Sequence, residues 1–187
     1  MRELSLHVLD LLQNSIEAGA TAVAVRVEED NLEDRLEIEV TDDGRGMPEE
    51  VARAVLDPFV TSRKTRRVGL GLPLLAAAAE RCNGQLSIDS SVGVGTTVIV
   101  SFQLSHIDRA PFGDMTSTLL SVILQEPPVA LSYRHRVEDR WFEFDSAKLA
   151  VELGDLPFSH PVALQWVRKY LANGFSYLYG GGANANN

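Results

Sequence analysis

Two runs of the chain alternate without a break between apolar and polar residues, Thr21 to Glu28 (TAVAVRVE) and Arg35 to Val40 (RLEIEV). Period-two alternation gives each strand one apolar and one polar side, so the pair predicts a hairpin in a sheet covered on one face only. The polar Glu-Asp-Asn-Leu-Glu-Asp segment between them reads as its turn. Just ahead, Leu4, Leu6, Leu9, Leu12 and Ile16 recur at helical spacing, and Gly19 stands where a left-handed residue closes a helix.

Pro48-Glu49-Glu50-Val51 has the proline and acids of a helix start and predicts a short helix to Leu56. The basic stretch from Val60 to Val68 has no apolar period and reads as a loop, after which Gly69-Leu70-Gly71-Leu72-Pro73 opens a helix to about Arg81. Asn83-Gly84 turns the chain into a strand from Gln85 to Asp89, and Thr96 to Leu104 is a second, β-branched strand. Helices interleaved with hairpin-like strands predict an α+β sandwich with helices on one face of a mixed sheet, ending near Ser105.

Beyond it the pattern predicts a helix (116–125), strands (129–137 and 140–144) and helices (146–153 and 161–173), read as a smaller α+β unit over 106–179. Trp141, Phe142 and Phe144 are expected to fill that unit's core, because aromatics dominate small cores. Residues 180–187 carry nothing to bury and read as a loose tail.

A formal net charge of -9 disfavours binding to a polyphosphate backbone, so nucleic acid is not an expected partner. Met1-Arg2-Glu3-Leu4 runs straight into an amphipathic pattern rather than an apolar signal, and no apolar run reaches the ~20 residues that span a bilayer. With one cysteine, Cys82, and so no internal disulfide, the expected setting is cytoplasmic and no membrane partner is expected.

Four segments carry chemistry. Asp10 and Asn14, four residues apart, share one side of the first helix, opposite its Leu-rich side. Asp42-Asp43-Gly44-Arg45-Gly46-Met47 ends a strand in an acid followed by glycines, which let backbone approach a flat ligand while the carboxylate accepts from an exocyclic amino group such as adenine's. Arg63, Lys64, Arg66 and Arg67 make a local positive field before a helix N-terminus, a setting suited to phosphate. Ser90-Ser91-Val92-Gly93-Val94-Gly95-Thr96-Thr97 is a glycine-bearing approach to the last strand, which alone reads as a plain turn.

Together and in this order, these segments resemble the nucleotide-binding boxes of the GHKL superfamily of gyrase, the ninety-kilodalton heat-shock chaperones, histidine kinases and MutL. LDLLQNSIEAGAT is similar to the N box, DDGRGM to the first glycine box, DPF with GLGL to the lid and second glycine box, and GVGTT to the last. The likeness covers roughly residues 4 to 104. It implies ATP and Mg2+ as cofactors, with Asn14 as the magnesium ligand, Asp42 on the adenine amino group and Thr96 supporting it through water. Gly44, Gly46, Gly69 and Gly71 would shape the pocket and lid, with Met47, Lys64, Leu70 and Leu72 as further binding candidates. Asp10 stands where hydrolysing members place a Glu that activates water, and is one methylene shorter.

Glu17 occupies a position where histidine kinases often carry Lys, an acid as in the MutL-type motif, whereas GLGL has the kinase form. A dimerising hairpin with a phosphoacceptor ahead of the first helix is not expected from Met1 to Glu3, and His7, His106, His135 and His160 read as structural. The resemblance therefore implies a protein that hydrolyses ATP slowly or phosphorylates a separate protein partner, as anti-sigma-factor serine kinases do. The alternative is a non-hydrolysing regulatory subunit in which ATP controls docking.

Overall fold

A computed structural model describes residues 3–55 and 71–180. Helix α1 (Leu4–Glu17) is followed by β1 (Ala22–Asp30), β2 (Arg35–Asp42) and the short α2 (Glu49–Ala54). After α3 (Gly71–Arg81) come β3 (Leu86–Ser91), β4 (Gly95–Gln103), α4 (Met115–Ile123), β5 (Ala130–Val137), β6 (Arg140–Asp145), α5 (Ser146–Leu153) and α6 (Pro161–Leu178). Lys64, Gly69, Leu70, the neighbouring Arg63, Arg66 and Arg67, the DPF triplet, and the tail from 181 onward lie outside the described residues.

The six strands form one mixed sheet in the order β3-β4-β2-β1-β5-β6. β1 and β5 run parallel, and every other pair is antiparallel. Alternation decides the layers: Val23, Val25 and Val27 on β1, Leu36, Ile38 and Val40 on β2, and Leu131, Tyr133 and His135 on β5 are all buried beneath the helices. The other face carries ion pairs between Arg26 and Glu28, Arg35 and Glu37, and Arg134 and Glu143, which keep it wet. The strands expected in a separate smaller unit thus extend the same sheet, and Leu131, Phe142 and Leu171 join one hydrophobic core with Leu12 and Ile38.

Helix α1 lies among β2, α3 and α4. Its N-terminal Glu3 makes no side-chain cap, and the backbone N–H groups of Leu4 and Ser5 donate instead to the carbonyls of Pro111 and Phe112, each at 2.9 Å. Packing on several sides widens the buried stripe to Leu4, Ser5, His7, Val8, Leu11, Leu12 and Ser15. Leu6, expected in the apolar face, is 39% exposed, and Asp10 and Asn14 are half-buried, with Asn14 bordering that stripe next to Leu11 and Ser15 rather than standing opposite it.

Two further expectations change. Helix α6 runs on to Leu178 instead of stopping at Asn173, because Gly174 is where helix and sheet touch: a Cβ there would lie 2.3 Å from the Phe142 ring. Close approach to β6 outweighs the roughly 1 kcal/mol that glycine costs inside a helix. Of the three aromatics, Phe142 and Phe144 are core residues, whereas Trp141 points to the open face and is 48% exposed.

His135 is fully buried between Tyr133, whose hydroxyl is 2.9 Å from Nδ1, and Glu29, whose carboxylate is 3.1 Å from Nε2. Tyr179, at the end of α6, donates to the same Glu29 oxygen at 2.5 Å. Burial lowers the pKa of His135 and outweighs the opposing pull of Glu29; burial likewise lowers that of His7. The unfolded chain therefore binds protons near the ordinary value of 6.5, where the folded chain still resists them. Stability is expected to be fully present above that value and to fall as pH drops through the window below it. Urea unfolding between about pH 7 and pH 5 checks this, and a midpoint that rises on acidification contradicts it.

Candidate functional site

The nucleotide-box residues meet where α1 ends. Gly19 (φ +78°) takes the left-handed position, with Gly19 N–H donating to Ile16 and Ala20 N–H to Ser15, the double closure of a Schellman cap. The carbonyls left over at this end are taken by Arg45, whose backbone N–H donates to Ala18 and whose guanidinium donates to Glu17, at 3.0 and 2.9 Å. Gly44 packs against Ala18, 2.9 Å from where its Cβ would be. Gly46 (φ +62°) passes so close to the β3–β4 turn that a Cβ would sit 2.0 Å from the Ser91 carbonyl.

The two adjacent aspartates divide their work. Asp43 accepts from Thr21 N–H, Ala22 N–H and the Thr21 hydroxyl at 2.6 to 2.9 Å, pinning the start of β1, and these bonds hold its carboxyl below the ordinary range. Asp42 turns the other way: Oδ2 accepts from the buried Ser15 hydroxyl at 2.7 Å and Oδ1 from Gly44 N–H at 2.9 Å. A carboxylate has about four acceptor sites, so two bonds leave capacity for a ligand's N–H.

Ladder register brings in the last box, with Asp42 opposite Thr96 in the β2–β4 pair. Asn14, Ser15, Asp42, Gly46, Met47, Leu72 and Thr96 line one cavity of about 270 Å3. Leu11, Val40, Val51 and Val98 are among its apolar lining, and Glu17 and Arg45 also border it. A few convergent polar groups on an apolar floor are the usual make-up of a small-molecule site. Asp10 and Gly71 lie outside that lining and against each other: a Cβ on Gly71 would be 3.0 Å from Asp10 Oδ2. Gly44 lies behind Asp42, buried.

Sequence reasoning passed over Ser15, which holds Asp42, and Ser90, whose hydroxyl accepts from Met47 N–H at 2.8 Å and lies 2.9 Å from that of Thr96. Nothing local marks Ser15 except its place beside Asn14. Among the described residues no group of three or more His, Cys, Asp or Glu side chains could hold a metal. The donor set fits magnesium in another way, since that ion keeps waters and takes few protein oxygens when phosphates supply the rest, and Asn14 offers one amide oxygen.

A mixed sheet covered on one face by helices, with this cavity between α1, β2, β4 and the glycine-bearing turns, defines a nucleotide-binding α+β sandwich. Residues 2–106 match the family described as histidine kinase-, DNA gyrase B-, and HSP90-like ATPase, and the chain belongs to that family. The non-motile and phage-resistance protein of Caulobacter vibrioides is 32% identical over 117 residues, 58% of this chain and 14% of that protein. Sporulation kinase C of Bacillus subtilis is 31% identical over 102 residues, 54% of this chain and 24% of that protein. This chain thus matches no more than about a quarter of either relative's length. The Aquifex aeolicus MutL ATPase domain complexed with ADP aligns with a TM-score of 0.49 and 17% identity, over 72% of this chain and 60% of that one. No helix among the described residues is long and apolar enough to cross a membrane.

Proposed function

We propose that this chain binds Mg-ATP in the α1–β2–β4 cavity, in the cytoplasm, and that the bound nucleotide is hydrolysed slowly or phosphorylates a separate protein partner. The observation that carries the reading is Asp42, a carboxylate anchored by Ser15 and Gly44 with acceptor sites to spare on an apolar floor. The adenine amino group would donate to Asp42, and Thr96 would support the base through water. Gly46 and Met47 line the cavity beside Asp42, and Leu72 adds apolar wall. Asn14 would hold magnesium through its amide oxygen, and the ion, when bound, neutralises phosphate charge. Gly71 opens α3, whose N-terminal N–H groups suit an anion, and Lys64, Gly69 and Leu70 remain binding candidates from the resemblance alone.

Asp10 is the candidate base, one turn before Asn14. Its carboxylate abuts the start of α3 and lies outside the cavity lining, and it is a methylene shorter than glutamate. That observation favours the second reading, a regulatory subunit that holds ATP without turnover and docks on a partner.

Calorimetry and phosphate release test both. Asn14→Ala is expected to weaken Mg-ATP by at least about tenfold while changing magnesium-free binding little. If the wild type releases phosphate and Asp10→Ala does not, the enzymatic reading holds. Binding with neither phosphate release nor transfer of labelled phosphate to a separate protein favours the regulatory one, and absence of any binding heat removes both.

A further inference from the structure

Three contacts meet at one hydroxyl. Ser90 Oγ is 2.8 Å from Met47 N, 3.1 Å from the Gly95 carbonyl oxygen and 2.9 Å from Thr96 Oγ1. A serine hydroxyl has one proton and two lone pairs. Met47 N–H can only donate and Gly95 O can only accept, so one arrangement alone makes hydrogen bonds of all three contacts. Ser90 accepts from Met47, donates to Gly95 and takes the Thr96 proton on its second lone pair. Were Ser90 to donate to Thr96 instead, its contact with Gly95 would bring two acceptors together. The Thr96 proton is thereby committed, and what Thr96 has left for the cavity it lines is lone pairs.

Three donors that touch Asp42 or Ser90 are committed as well. Gly44 N–H and the Ser15 hydroxyl are both spent on Asp42, and Met47 N–H on Ser90. Asp42, directly across the ladder from Thr96, is an acceptor when ionised. We infer that Ser90 is a positioning residue for base selection: by holding the Thr96 hydroxyl as an acceptor, it makes this edge of the cavity a pair of acceptors, so that the water through which Thr96 meets the base spends its protons on them and turns a lone pair to the base, which selects a purine with an amino group at C6 over one with a carbonyl. The inference rests on the reading that the base lies against Asp42. A site built to receive a donor discriminates strongly against an analogue that presents an acceptor, because buried groups are then left unpaired.

ATP and ITP separate the possibilities, since they differ in the amino group or carbonyl at C6 and the accompanying proton on N1. Calorimetry with the full chain and magnesium gives both dissociation constants. In Ser90→Ala the Thr96 proton is free to turn to that water, which then has a proton of its own to donate to the ITP carbonyl. Both nucleotides bind more weakly as the glycine turn loosens, but the preference for ATP over ITP falls by about tenfold, the worth of one hydrogen bond. In Ser90→Ala with Thr96→Val no hydroxyl remains to turn, and the preference returns to that of Thr96→Val alone.

A purely structural role for Ser90 weakens both nucleotides alike, and an unchanged ratio in Ser90→Ala overturns the inference. Should Ser90→Ala not fold, Thr96→Val decides: ATP is expected to weaken several-fold and ITP to change little, and a larger loss for ITP overturns it. If the wild type binds neither nucleotide, the site reading and this inference fall together. If it binds ATP and the ratio does not move, only the inference falls.

Discussion

Asp42→Ala is expected to weaken Mg-ATP by more than about a hundredfold, the scale seen when a site built to pair a ligand's N–H loses its acceptor. The carboxylate is tied to both α1 and the glycine turn, through Ser15 and Gly44. The fold should survive the change. Ser15 Oγ keeps the Leu11 carbonyl, 3.2 Å away, as an acceptor, and only Gly44 N–H is left wanting, at about 1 to 3 kcal/mol. Calorimetry measures the binding and a urea titration the stability. Near-normal affinity in a folded Asp42→Ala protein would remove the base from this site, whatever the phosphates do. Asp43→Ala makes the contrast: it loses the bonds that pin β1 and should cost stability before it costs affinity.

Gly95→Ala is expected to destabilise the chain by roughly 3 kcal/mol or more, enough to unfold a domain of ordinary stability in part. Gly95 has φ +133°, and an added Cβ would lie 1.9 Å from the Asp42 carbonyl and 3.1 Å from Asp43 Cα, so the β2 and β4 backbones must separate. Gly93, two residues earlier in the same box, also has positive φ (+77°), but a Cβ there meets nothing within 4 Å. Gly93→Ala should therefore cost only the left-handed conformation, about 1 to 2 kcal/mol. Equal midpoints for the two variants in urea would show that conformational preference, and not the backbone contact, governs this turn. Because the displaced carbonyl belongs to Asp42, Gly95→Ala should also lose nucleotide binding, whereas Gly93→Ala should keep most of it.

Much of this could be read before any coordinates. Strict alternation in TAVAVRVE and RLEIEV predicts a sheet with one covered face because pleat geometry leaves no other place for the valines. Gly19 marks the end of α1 for an equally local reason, since a left-handed cap needs only the residues beside it. The same locality explains the misreadings. Gly174 resembles a helix end, and only the Phe142 ring across from it shows why a glycine continues α6. Ser15 and Ser90 carry no sequence signal for their roles, since the partners that define them, Asp42 and Met47, are 27 and 43 residues away.

The sequence alone determined which residue types stand at the boxes, the period of each strand and helix, and the capping chemistry, because these depend on neighbours within a few positions. The tertiary structure alone decided that β5 joins β1 in parallel, that Asp42 faces Ser15 while Asp43 clamps Thr21, and that Thr96 stands across from Asp42. Those outcomes depend on strand register and on contacts between distant segments. One residue of slip in β4 would turn every side chain on it to the other face while leaving its composition and period unchanged.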